Sequence, residues 1–164
     1  MSQAERKSAA EHAAEHGIHP VTPHLTCNGA ADAIEFYKKA FGAEEMVRLP
    51  RPDGRLMHAC IRINGSSIML VDALPEMNAR GPDALGGSPV SIHLTVDDAD
   101  AWAERAEKAG ATVTKPVAER FWGDRFGMVT DPFGHVWSFR TPVRTLTEAE
   151  LREAAAAAIG SPKG

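Results

Sequence analysis

The stretch that decides the fold is HLTCNGAADAIEFY, residues 24–37, because its opening recurs as HLTVDDADAWAERA, residues 93–106. Each His-Leu-Thr stands just before a helix-like run, and self-similarity at a fixed offset is the signature of a duplicated structural unit. A shift of 69 residues lays His24-Leu25-Thr26-Cys27-Asn28 on His93-Leu94-Thr95-Val96-Asp97. The same shift lays Asn64-Gly65-Ser66 on Phe133-Gly134-His135. With one residue of slippage, FGAEE from Phe41 falls on AGATV from Ala109. Three matches near one offset divide the chain into two copies of one module, residues 20–75 and 88–142.

Each copy opens on alternation. Pro23, Leu25 and Cys27 lie on one face of an extended run, with Thr22, His24 and Thr26 on the other; Ile92, Leu94 and Val96 alternate in the same way with Ser91, His93 and Thr95. Period two with one apolar face reads as a half-buried strand. A helix follows each: Asn28 is a candidate cap for the run carrying Ile34, Tyr37, Lys38 and Phe41, and Asp97 or Asp98 for the run carrying Trp102, Ala106 and Ala109. Gly42 and Gly110 stop the two runs. Asp53-Gly54, Asn64-Gly65 and the DPFGH segment from Asp131 are hairpin signals. The expected fold class is therefore α+β, with two βαβββ modules related by internal duplication. Between them, residues 76–87 are Gly/Pro-rich and read as a mobile surface loop or lid. Residues 1–19 form an N-terminal helical extension, and residues 143–164 a C-terminal helix and tail opened by the capping box of Thr147 and Glu150. The thin apolar face of that last helix points to packing on a neighbouring element or a partner chain.

Composition narrows the function classes. A formal net charge of -4 and a pI near 6.0, with no Lys/Arg run, leave no basic face for nucleic acid or anionic membranes. No stretch approaches the ~20 apolar residues of a membrane span, and the first residues lack the apolar core of a secretory signal, so the expected location is cytoplasmic. Cys27 and Cys60 read as two packed strand cysteines rather than a disulfide or a zinc knuckle. His12 and His16 share a helix face at i, i+4 without the intervening Glu of a zinc-protease motif, which reads as a solvated face. There is no dinucleotide-binding glycine fingerprint, no phosphate-binding loop and no nucleophile elbow.

AIEFYKKAFGAE in the first copy, with DADAWAERAEKAGATV and DPFGHVWSF in the second, resembles the vicinal oxygen chelate superfamily of glyoxalase I, bleomycin-resistance proteins and extradiol dioxygenases. FWGDRFGMVTDPFGHVWSF is similar to its PhnB-like branch. The resemblance implies curved mixed sheets that enclose a cavity shared by the modules, a small-molecule ligand and a homodimer. It also implies a metal ligand on the first and last strand of each module. The matched positions are Thr22, Met69, Ser91 and Ser138. None suits a catalytic divalent ion, which takes imidazole or carboxylate. No cofactor is therefore expected.

His24 and His93 stand two residues past the matched first-strand positions, on the same side of their strands. Three roles are open to them: ligands of a displaced zinc, nickel, manganese or iron ion assisted by Asp72 or Asp131; an acid/base pair of a glyoxalase-like lyase or isomerase; or polar lining. His58, Trp122, Arg125 and Met128 complete the candidate ligand contacts with Thr22, Met69, Ser91 and Ser138. Asp124-Arg125 beside Trp122 reads either as a charged, stacking wall or as a structural ion pair. His135, in its turn, is expected at the surface, and Tyr37 in the core.

Overall fold

Both alternating runs become strands, and both glycine-stopped runs become helices. A computed structural model describes residues 6–160, and the chain divides between Ser88 and Pro89 into two units. The first unit holds α1 (Ala9–Glu15), β1 (His24–Cys27), α2 (Ala30–Phe41), β2 (Glu44–Pro50), β3 (Leu56–Ile63), β4 (Ser66–Asp72) and the short α3 (Pro82–Leu85). The second holds β5 (Ser91–Thr95), α4 (Ala99–Ala109), β6 (Thr112–Glu119), β7 (Asp124–Thr130), β8 (Val136–Pro142) and α5 (Glu148–Gly160). The order βαβββ thus occurs twice. Each sheet is four-stranded and mixed, ordered β1-β4-β3-β2 and β5-β8-β7-β6, with the first strand parallel to the last.

The duplication holds at the level of single pairings. His24 pairs with Met69 in the first sheet, and His93 pairs with Ser138 in the second. Both pairs are related by the same 69-residue shift that aligns the sequence. Alternation then gives each sheet two faces. One is covered by its helix: Leu25, Ala59, Ile61, Ile68 and Leu70 lie under Ile34, Tyr37 and Phe41 of α2, all buried. Tyr37 is a core residue, as its helical spacing predicts. In the second unit Leu94, Val129, Trp137 and Phe139 form the equivalent buried layer. His24 and His93 lie on the opposite, far face.

The helix starts differ from expectation in an instructive way. Asn28 does not cap α2: the cap position is Gly29, at φ 99°, and the Asn28 amide instead donates to Asp83 at 3.1 Å. The capping acceptor comes from the last strand, where Asp72 Oδ1 takes the N–H groups of Gly29 and Ala30 at 3.1 and 2.9 Å. Its Oδ2 takes Leu56 N–H at 2.6 Å. A buried carboxylate accepting three backbone N–H groups ties helix, β3 and β4 together. In the second unit Asp98 is the cap, accepting from Ala101 N–H at 3.0 Å.

Residues 75–85 are more ordered than a featureless loop. They hold a 3-10 turn at Pro75–Met77, closed by a bridge between Leu74 and Ala79, and then α3 with proline at its first turn. At the N-terminus, Ser8 and Glu11 form a capping box on α1. The Thr147–Glu150 box is present on α5, none of whose residues is buried. Cys27 and Cys60 are both buried strand residues, and neither forms a disulfide. No helix among the described residues is long and apolar enough to cross a membrane.

Candidate functional site

The far face of the second sheet is built from alternate residues of four strands. β5 supplies His93, β8 Ser138 and Arg140, β7 Phe126 and Met128, and β6 Lys115; the pairings His93–Ser138, Met128–Ser138 and Phe126–Arg140 put them side by side. His93 Nδ1 lies 2.8 Å from Ser138 Oγ. Ser138 is buried, so its hydroxyl needs a partner, and the imidazole is one. The His93 ring sits 6.0 Å from Phe126, and Trp122 meets Phe126 edge-on at 5.5 Å. Phe121 packs edge-on against Trp122 at 5.0 Å. The result is an aromatic corner beside a hydrogen-bonded histidine. Edge-to-face rings hold one another in place, which fixes the shape of this apolar corner.

The far face of the first sheet is softer and has no matching ring. It carries His24, Met69, His58 and Cys60, the last 3.9 Å from the thioether of Met46. The rings of His24 and His58 approach edge-on at 6.2 Å across β4. Partial burial, followed by repulsion from His58, pushes the His24 imidazole below its usual value. Part of this face is closed by the chain itself. The Arg62 guanidinium donates to the Gly17 carbonyl at 3.3 Å, and Ser67 Oγ lies 3.5 Å from His19 Nδ1. Residues 8–19 therefore strap one end of the sheet, and Ala13 of α1 is buried.

The sequence-derived positions separate into those that meet and those that do not. His24 with His58 and Met69, and His93 with Trp122, Met128 and Ser138, are grouped within their own units. Thr22 lies two residues before β1, its hydroxyl donating to the His19 carbonyl at 2.7 Å. Ser91 pairs with Val136 at the start of β5. Counting along the sequence put the family's ligand positions at Thr22 and Ser91, but the residues that stand beside Met69 and Ser138 are His24 and His93. Arg125 stands apart from the Trp122–Phe126 face. It lies on the helix-covered side, where it grips Asp100 of α4 through Nε at 2.6 Å and Nη2 at 2.9 Å. Odd and even residues of β7 face opposite ways, so Phe126 and Arg125 cannot share a surface. Asp124 pairs instead with Arg140, at 3.5 Å. Arg140, Lys115 and Phe126 escaped sequence reasoning because only strand register places them on the face that carries His93.

The donor set does not fit a divalent metal. Asp72 and Asp131, the carboxylates available to assist the histidines, are both engaged with the backbone. Asp131 Oδ1 accepts from the N–H groups of Phe133 and His135, at 2.9 and 3.0 Å, and its Oδ2 accepts from Trp137 Nε1 at 2.8 Å. His135, in the turn so clamped, is buried rather than at the surface. Among the described residues no group of three or more His, Cys, Asp or Glu side chains is arranged to hold a metal ion. Met69 and Ser138 supply neither imidazole nor carboxylate.

Comparison with known proteins agrees with this architecture. A family model described as the Glyoxalase/Bleomycin resistance protein/Dioxygenase superfamily matches residues 11–139. An uncharacterised protein of Mycobacterium tuberculosis is 51% identical over 137 residues, covering 82% of this chain and 81% of the relative. The X-ray structure of a gene product of Arabidopsis thaliana superposes with a TM-score of 0.61 at 31% identity, covering 73% of this chain and 96% of that one. A crystal structure of a Pseudomonas aeruginosa protein superposes with a TM-score of 0.62 at 29% identity, covering 76% and 98%.

Proposed function

For a chain that belongs to the Glyoxalase/Bleomycin resistance protein/Dioxygenase superfamily, we propose the binding of a small organic molecule on the far face of the second module, without a resident divalent metal. The observation that carries this reading is the aromatic corner of Trp122 and Phe126 beside the His93–Ser138 hydrogen bond. Planar ligand surface packs on the rings, while the imidazole and hydroxyl give one directional contact; few polar groups in an apolar setting are what a ligand site needs. Met128, on the same face, adds an adaptable apolar wall.

Equilibrium titration with a panel of aromatic compounds, followed by tryptophan fluorescence, tests the reading. Binding is expected to persist in excess chelator and to weaken about tenfold or more in Trp122→Ala, the order of loss seen when an aromatic anchor is removed. Ligand affinity that vanishes with chelator, or that is indifferent to Trp122, overturns it. A second reading, lyase or isomerase chemistry, draws on His24, whose depressed imidazole is a neutral base near physiological pH. Turnover whose acidic limb disappears in His24→Gln supports that chemistry; stoichiometric binding with no turnover supports sequestration.

A further inference from the structure

The two far faces differ in charge as well as in shape. The position occupied by Arg140 in the second module is Val71 in the first, by the 69-residue shift. Arg140 is the strand neighbour of Phe126 on one side and of Thr95 on the other, so its side chain rises from the face that carries His93. It is poorly coordinated. Its ion pair with Asp124, Nη1 to Oδ2, spans 3.5 Å, well beyond the ~2.8 Å of a charge-assisted hydrogen bond, and its Nε is buried with no partner among the described residues. An unsatisfied guanidinium N–H is an exception in a folded chain and calls for an explanation. The Arg140 side chain is still 39% exposed, against 9% for Asp124, so its outer end is the part an incoming group meets. Lys115 adds a second cation: its Nζ stands 5.9 Å from the Phe126 ring centre, and no ion pair is formed by it among the described residues.

Resting on the proposal that this face binds a planar organic molecule, we infer that the molecule is an anion, an aromatic carboxylate or its equivalent. Its ring packs in the Trp122–Phe126 corner, and its oxyanion meets the outer edge of Arg140, with Lys115 supplying longer-range attraction. The planar guanidinium fork matches two carboxylate oxygens, which a lysine in its place would not do. Asp124 is the counterion that keeps Arg140 oriented while the face is empty. A neutral aromatic would fill the same corner and leave Arg140 under-coordinated.

The probes are 2-naphthoate and its neutral analogue 2-naphthamide, titrated against the full chain by calorimetry. The expected result is that naphthoate binds at least about tenfold more tightly, a preference that fades as salt rises through the range where the screening length shrinks below ~10 Å. Arg140→Gln should remove the preference, bringing naphthoate affinity down to that of naphthamide. Lys115→Gln, a change at an exposed residue, should reduce the naphthoate preference at least about twofold and flatten its salt dependence, so the inference stays testable even where Arg140→Gln fails to fold. Equal affinity for the two probes, or a preference that survives both substitutions, overturns the anion inference and leaves binding at this face standing. Failure of both probes, together with the aromatic panel, overturns the binding reading and this inference with it.

Discussion

Asp72 and Thr141 occupy the same place in the two modules: each sits near the end of its last strand and accepts the N–H of the first helical residue, Ala30 for Asp72 at 2.9 Å and Ala99 for Thr141 at 2.8 Å. Thr141 passes its own hydroxyl proton to the Val96 carbonyl at 2.9 Å, closing the turn between β5 and α4. The duplicated fold has kept a cross-strand helix cap while exchanging a carboxylate for a hydroxyl. Asp72 carries more, since it also holds Leu56 N–H. Asp72→Ala strands three buried or half-buried donors and is expected to cost about 3 kcal/mol, whereas Thr141→Val, with Asp98 still capping α4, is expected to cost about 1 kcal/mol. Urea denaturation of the two variants measures the difference. Equal losses would show that the extra carboxylate contacts contribute nothing.

Acid should weaken the first module through His24. Partial burial and the adjacent His58 hold the His24 imidazole below its ordinary value of 6.5, so protonation is easier in the unfolded chain. The unfolded state then binds more protons as pH falls through that value, and stability contributed by neutral His24 is present above about pH 6.5 and lost as pH falls through the folded value. Melting temperature measured from about pH 7.5 down to about pH 5 should fall less steeply in His24→Gln than in the parent chain. A slope that is identical in both excludes His24 as a source of acid sensitivity.

The N-terminal strap is expected to shield Cys60. Burial pushes this thiol up, against a smaller pull from Arg62, and only 3% of the residue is exposed. The thiolate is the reactive form, so both its rarity and its inaccessibility slow attack. Gly17 holds the strap against the sheet: a Cβ there would fall 2.8 Å from the Arg62 guanidinium and 3.0 Å from the Met46 methyl, on a backbone at φ 68°. Removing residues 1–19 should raise the rate of Cys60 alkylation about tenfold, as expected when a covering segment no longer has to open. Cys27, buried on the helix-covered face of β1, serves as the internal reference in a site-resolved mass measurement. An unchanged Cys60 rate would mean that the strap does not govern access.

How much of this was legible in the sequence depends on what fixes each feature. Repeat, strands, helices and hairpin turns follow from local pattern: the glycines of the turns at Asn64-Gly65 and Phe133-Gly134 have φ of 81° and 87°, the left-handed region that glycine enters without steric cost. The buried role of Tyr37 follows from helical spacing. The cap of α2 was not readable, because Asp72 lies 43 residues from Gly29 and meets it only once β4 has paired with β1. The site was half readable. Alternation showed the side of the strand on which His24 and His93 stand, but their true neighbours, Met69 and Ser138, are decided by register. A slip of one residue exchanges the two faces. The same reason hid Arg140 and parted Arg125 from Asp124, whose adjacency in sequence is undone by the pleat.

That separation yields the sharpest test of the proposed ligand side of the second sheet. Arg125 makes a bidentate pair with Asp100, holding that carboxyl below the usual carboxylate range, yet both side chains are largely in solvent, 38% and 53% exposed. Exposed pairs of this kind contribute roughly 0–1 kcal/mol, because water screens the charges and two long side chains are ordered to make the contact. Arg125→Ala should therefore lower the melting temperature slightly, by an amount that shrinks in high salt, and leave binding of any aromatic ligand unchanged. The sheet stands between Arg125 and the Trp122–Phe126 corner, whereas Arg140 rises on the proposed ligand side. Titration of the two arginine variants in parallel with thermal melts separates the faces: loss of binding in a fully folded Arg125→Ala protein would move the site to the helix-covered side and sink the assignment made for His93, Ser138 and Phe126.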